Sequence, residues 1–163
     1  RWNIKSNSIS LPFKSSKSLG IKSINLELGR QSMIRLSAIY TDGTDVALPI
    51  ARTKDDACLD EYGDLNDECF IDFALYDFNS DGVPEIILSV GNHIIEQKVY
   101  INQYHPPAMK KDYSRPENWT SINLNGQTDC YISGDSISFR IGSRGFTDTY
   151  FYKDGKFYFK GFN

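Results

Sequence analysis

Nowhere in this chain of 163 residues does an apolar period of 3.6 residues persist for 12 residues, whereas a period of two recurs from Ile21 onward. Ile24, Leu26 and Leu28 alternate with Asn25 and Glu27, and Ile34, Leu36, Ala38 and Tyr40 follow the same rule. Successive side chains of a strand point to opposite faces, so the pattern describes pleated segments with one buried face. Gly29-Arg30 separates these two runs and predicts a hairpin. Further strands are expected over residues 46–50, 70–76, 85–90 and 97–104, with shorter ones at 122–124, 130–132 and 137–141. Residues 149–152 and 156–159 flank Asp154-Gly155, a strong two-residue hairpin signal. Aromatics make up 13% of the chain, a bias suited to half-buried strands. The expected fold is mainly β: an antiparallel sandwich or a strongly curved sheet of about eight to ten strands. Residues 1–20, with Arg1, Lys5, Lys14 and Lys17, read as a basic, irregular segment with one strand near 9–13; residues 21–163 read as a single domain. A short helix is possible between 52 and 66.

Between the strands at 70–76 and 85–90 lies Asp77-Phe78-Asn79-Ser80-Asp81-Gly82-Val83-Pro84-Glu85. Oxygen-bearing side chains alternate at Asp77, Asn79 and Asp81, Gly82 permits a sharp bend, and Glu85 returns a carboxylate. A hard cation such as Ca²⁺ takes six to eight oxygen ligands around a tight turn of backbone. The expected ligands are Asp77, Asn79, Asp81 and Glu85 through their side chains and Val83 through its carbonyl. Phe78 points away and packs. An EF-hand would need a glutamate at the twelfth loop position, but Leu88 stands there inside an apolar run, so the loop joins strands and not helices.

The stretch resembles the calcium loops of integrin α-subunit propellers and of FG-GAP (VCBS) repeat proteins, with Asp77, Asn79, Asp81, Gly82 and Glu85 followed by Ile86-Ile87-Leu88. The resemblance covers roughly 73–91 and implies a calcium-binding hairpin loop. It does not imply a propeller, which needs repeated blades, while this chain carries the loop once.

Cys58 and Cys69 flank a polar segment and can close it as a disulfide, which by loop-closure entropy stabilises by about 2–3 kcal/mol. Cys130 is then left over, buried and inert or an alternative partner for either. Three reduced thiols are the other reading. Calcium and a disulfide together point outside the cytosol, to a periplasmic or secreted protein. The chain begins at Arg1, as a mature form would after loss of a signal peptide or lipid anchor.

Asp55, Asp56, Asp60, Glu61, Asp64, Asp67 and Glu68 follow one another with no Lys or Arg between Asp55 and Glu68. Such a patch steers a basic partner, holds a second ion, or is a solvated acidic loop. The net charge of −3 supplies no basic field for nucleic acid, and no apolar run reaches the length of a membrane span. The two histidines, His93 and His105, read as loop residues. No Gly-x-Ser-x-Gly elbow, His-Glu-x-x-His pair or phosphate-binding glycine loop is present. Asn118-Trp119-Thr120 matches a glycosylation acceptor. Together these features suggest a non-enzymatic, calcium-stabilised protein-binding domain, an inhibitor or immunity protein of a basic secreted (cell-wall) hydrolase. The competing expectation is a carbohydrate-binding module stacking sugars on Tyr150 or Tyr152, and the third is a hydrolase.

Overall fold

The computed structural model describes residues 2–3, 8–12, 20–29, 33–48, 62, 70–91, 97–105, 112, 115–127, 129–142 and 144–162. Among them are thirteen strands and no α-helix, only a 3₁₀ turn at Pro116–Asn118. The strands form three antiparallel sheets. The possible helix between 52 and 66 lies outside the described residues.

The first sheet is built from β2 (Ser8–Pro12), β3 (Ile21–Gly29), β4 (Met33–Tyr40) and β5 (Asp45–Leu48), paired in chain order. The hairpin expected at Gly29 pairs Gly29 with Met33. The Asp42-Gly43 turn closes by Tyr40 N–H to Thr44 O at 2.9 Å, and Asp42 Oδ1 accepts from Thr44 N–H at 2.9 Å. That bond holds the Asp42 carboxyl below its usual range. Ile24, Ala38, Val46 and Leu48 of this sheet are buried.

The second sheet has the order β1 (Trp2–Asn3), β6 (Phe70–Tyr76), β7 (Glu85–Gly91), β8 (Gln97–Tyr104) and β9 (Trp119–Gly126). Its centre, β7, is buried along its whole length, as the run Ile86-Ile87-Leu88 requires of a strand covered on both faces. The third sheet is the meander β10 (Cys130–Ser133), β11 (Ser136–Ile141), β12 (Phe146–Lys153) and β13 (Lys156–Phe162). Its β12–β13 turn has Asp154 and Gly155 at φ 50° and 79°, the left-handed pair that a two-residue hairpin demands.

The second and third sheets pack face to face, as in a sandwich. Ile87, Val99, Ile101 and Leu124 from one meet Ile137 and Phe139 from the other in a single buried cluster. Directly opposed residues share a face, so Ile101↔Ile122 and Ile137↔Tyr150 extend that layer across both sheets.

Thirteen strands exceed the expected eight to ten. The strand expected near 9–13 forms as β2 and pairs with β3, while β1 pairs with β6 in a different sheet. Of the two expected architectures the second and third sheets realise the sandwich, and the strands divide among three sheets.

Candidate metal centre

The loop at 77–84 leaves β6 after Tyr76 and enters β7 at Glu85, and these two residues are the last pair of the ladder. The chain reverses between them through left-handed conformations at Ser80 (φ 57°) and Gly82 (φ 83°). No atom lies within 4 Å of where a Gly82 Cβ would be, so dihedral angle and not crowding calls for glycine there.

The alternating oxygens organise this bend. Asp77 accepts from Asp81 N–H through Oδ1 (3.2 Å) and from Gly82 N–H through Oδ2 (2.9 Å). Asn79 Oδ1 accepts from Asp81 N–H at 3.0 Å, and Asp81 Oδ1 accepts from Val83 N–H at 2.7 Å. Asn79 Nδ2 donates to Asp81 Oδ2 at 2.9 Å. The residues singled out in the sequence thus belong to one compact bend. Asn79 and Asp81 are exposed, Asp77 is half-buried, and Val83 and Glu85 are buried.

Glu85 differs from the other acids. It is 2% exposed, and its Oε2 accepts from the backbone N–H of Phe78 at 2.8 Å. Burial raises its carboxyl above the usual range, and the charges of Asp77 and Asp81 add to that rise. Phe78 turns inward as expected and joins the inter-sheet cluster. Its ring lies 4.7 Å from Tyr76, 5.2 Å from Phe157 and 5.8 Å from Tyr152. Tyr76 Oη in turn donates to Gly134 O at 2.7 Å, joining the start of the loop to the β10–β11 turn.

Among the described residues no three His, Cys, Asp or Glu side chains stand together as a ready-made metal cage. The donor chemistry nevertheless fits a hard cation. Each carboxylate or amide oxygen has two acceptor positions, so a bond from one backbone amide leaves capacity for a metal. Closing a coordination shell here asks for rotation of Asp77, Asn79 and Asp81 about their side-chain bonds, with the bend kept.

Of the other candidate residues, the described ones, Cys130, His105 and Asn118, are not part of this bend. Cys58, Cys69, His93 and the acidic series Asp55, Asp56, Asp60, Glu61, Asp64, Asp67 and Glu68 lie outside the described residues. Cys130 is a free thiol with Sγ 3.8 Å from Ser89 Oγ. Burial pushes that thiol up, away from the reactive thiolate. It lines a cavity of about 180 Å³ with Asp72, Ala74, Ile87, Ser89, Tyr131 and Ile132, a recess whose wall is mainly apolar. His105 is exposed just past β8, and its Nε2 meets Thr120 Oγ1 at 2.6 Å. Asn118 Nδ2, the atom a glycan would occupy, donates to Asp112 O at 2.8 Å.

Tyr150 and Tyr152 face the inter-sheet layer. Tyr150 packs on Phe139 and Phe159, while Tyr152 packs on Phe157 and accepts from Gln103 Nε2 at 3.0 Å. Both rings are half-buried against that layer, and the period-two pattern alone could not say which face was inner. No family model matches the chain, and neither a curated protein nor a solved structure is similar to it.

Proposed function

We propose that the β6–β7 loop takes one calcium ion and that the chain is a calcium-stabilised extracytoplasmic domain that works by binding, not by catalysis. The observation that carries this reading is the concentration of Asp77, Asp81 and the buried Glu85 on one bend already turned by Asp77, Asn79 and Asp81. Among the described residues no ion pair involves these three acids, so their mutual repulsion is an unfavourable feature that a divalent cation relieves. Asp77, Asn79, Asp81 and Glu85 would hold the ion through side-chain oxygens and Val83 through its carbonyl. The ion stiffens the edge of the inter-sheet core and leaves the chemistry of the domain unchanged.

The sequence supports a protein as partner. Seven acids between Asp55 and Glu68, uninterrupted by Lys or Arg, suit a basic secreted hydrolase, with this domain as its inhibitor or immunity protein. Titration calorimetry with Ca²⁺, and melting with and without EDTA, test the metal. Absence of calcium heat together with identical melting curves rejects it. Capture from a secretome by the wild type and by Asp60→Asn/Glu61→Gln tests the partner. Equal capture with equal salt dependence removes the acidic segment from that role.

A further inference from the structure

Four of the five large hydrophobic residues that stand exposed among the described residues belong to the β10–β13 sheet: Tyr131, Phe146, Tyr158 and Phe159. The register assigns them to faces. Ile137 and Phe139 define the inner face, and Phe146 (opposite Ile141), Tyr150 and Phe159 follow from them, so two of the four exposed rings, Tyr131 and Tyr158, belong to the outer face. Tyr131, Ser138 and Thr149 share the outer face, as do Ser136, Phe151 and Tyr158, and as do Lys153 and Lys156. Lys160 stands on the same side, with Nζ 4.8 Å from the centre of the Phe151 ring. Asp148 pairs with fully buried Phe139 and so belongs to the inner face. The outer face therefore carries lysines and aromatic rings and no strand carboxylate. Asp154 at the hairpin tip is the acid between Lys153 and Lys156.

We propose that this outer face is a docking surface for an anionic lipid bilayer. Charge complementarity supplies the sign: Lys153, Lys156 and Lys160 are all exposed and on one side of the sheet. The polar floor selects the class of partner. Ser138 Oγ and Thr149 Oγ1 are bonded to each other at 2.9 Å, and Ser136 Oγ donates to Ser133 O at 2.8 Å. All three residues are buried. A sugar chain or a nucleic-acid base is read by directed hydrogen bonds, and these hydroxyls are already engaged. What remains on offer is ammonium charge and phenol ring, 45% exposed at Tyr131 and 52% at Tyr158. Tyrosine rings settle at headgroup depth, and lysine stems cover apolar surface while the charge stays in the headgroup layer. The proposal is independent of the calcium reading, whose loop belongs to the other sheet.

Sedimentation of the full chain with vesicles tests it. The vesicles are phosphatidylcholine alone, or phosphatidylcholine mixed with phosphatidylglycerol, at low and high salt and with either Ca²⁺ or EDTA. Binding is expected to the mixed vesicles only, weaker at high salt and retained in EDTA. Each of Lys153→Gln, Lys156→Gln and Lys160→Gln lowers partitioning about five-fold, and the triple variant about a hundred-fold. Tyr158→Ser, which keeps every charge, lowers it at both salt concentrations. Failure to bind the mixed vesicles, equal binding to both vesicle types, an unaffected triple variant, or binding abolished by EDTA overturns the proposal. So does tighter binding of alginate or of a single-stranded oligonucleotide, which reassigns the face to a soluble polyanion.

Discussion

The backbone N–H of Phe78 donates to Oε2 of Glu85 at 2.8 Å, while the ring of Phe78 meets Phe157 edge to face at 5.2 Å. One residue thus ties the acid that closes the loop to the layer between two sheets. Removing the ring leaves a cavity in that layer and frees the bend at once. Phe78→Ala is expected to cost about 3–5 kcal/mol in urea unfolding. It should also weaken calcium uptake, although no ligand atom is deleted. Phe78→Leu, which keeps most of the volume, should cost less and leave calcium binding near that of the wild type.

Loading the loop should raise stability by mass action, because the unfolded chain does not hold the bend. At calcium ten-fold above the dissociation constant the gain is about 1.4 kcal/mol. EDTA should lower the melting temperature of the wild type accordingly. Asp81→Asn keeps the size and the acceptor that bonds Val83 N–H but removes a charge and the oxygen that accepts from Asn79 Nδ2. In that variant the calcium-dependent shift should shrink or vanish, while the EDTA-treated protein melts close to the EDTA-treated wild type, since the lost hydrogen bond offsets the lost repulsion. Differential scanning calorimetry on the four samples reads both effects.

Glu85 sets a pH dependence whose sign reverses with the metal. Its carboxyl is raised above the ordinary 4.5 by burial first and by Asp77 and Asp81 after that. With the folded value above the unfolded one, the folded state binds more protons in the interval between them. The contribution of Glu85 to stability is therefore fully present below the unfolded value and is lost as pH rises through the folded value. In EDTA, Glu85→Gln should flatten this part of the profile, measured by urea midpoints across pH. With calcium the trend inverts, because protons and the ion compete for the same oxygens, and affinity falls as pH drops through the raised value.

What the sequence made legible was local. The metal-loop candidates, the Asp154-Gly155 turn and the runs of β6 and β8 each depend on residues close in the chain. The assignment of strands to three sheets depends on pairings such as Trp2↔Ile71, which no local pattern encodes. The Gly134-Asp135 turn is faint in the sequence for a different reason. Only Gly134 has positive φ there (57°), at the first central position, and Ser-Gly-Asp-Ser is a weaker signal than Asp-Gly. Tyr150 and Tyr152 show the limit most plainly. Alternation put them on one face of the hairpin, but the partners that bury that face, Phe139 and Phe78, come from other strands and loops.

Gly126 is the clearest position whose role comes entirely from a distant residue. A Cβ there would overlap Cδ1 and Cγ of Phe139 and lie 2.6 Å from its Cβ. Phe139 is fully buried and packs edge to face on Tyr150 at 5.9 Å, so its ring has nowhere to swing. The end of β9 and the middle of β11 approach so closely only because one of the two residues lacks a side chain. Gly126→Ala should therefore cost about 3 kcal/mol, the upper end of the usual range for overpacking. Shortening the opposing ring tests the cause. The predicted contact with the Phe139 Cβ survives in Gly126→Ala/Phe139→Leu, so the double variant should recover only part of the loss. A double-mutant cycle from urea unfolding measures that recovery. Full recovery would place the crowding in the ring alone, and no loss in the single variant would mean that β9 can move away from β11 at little cost.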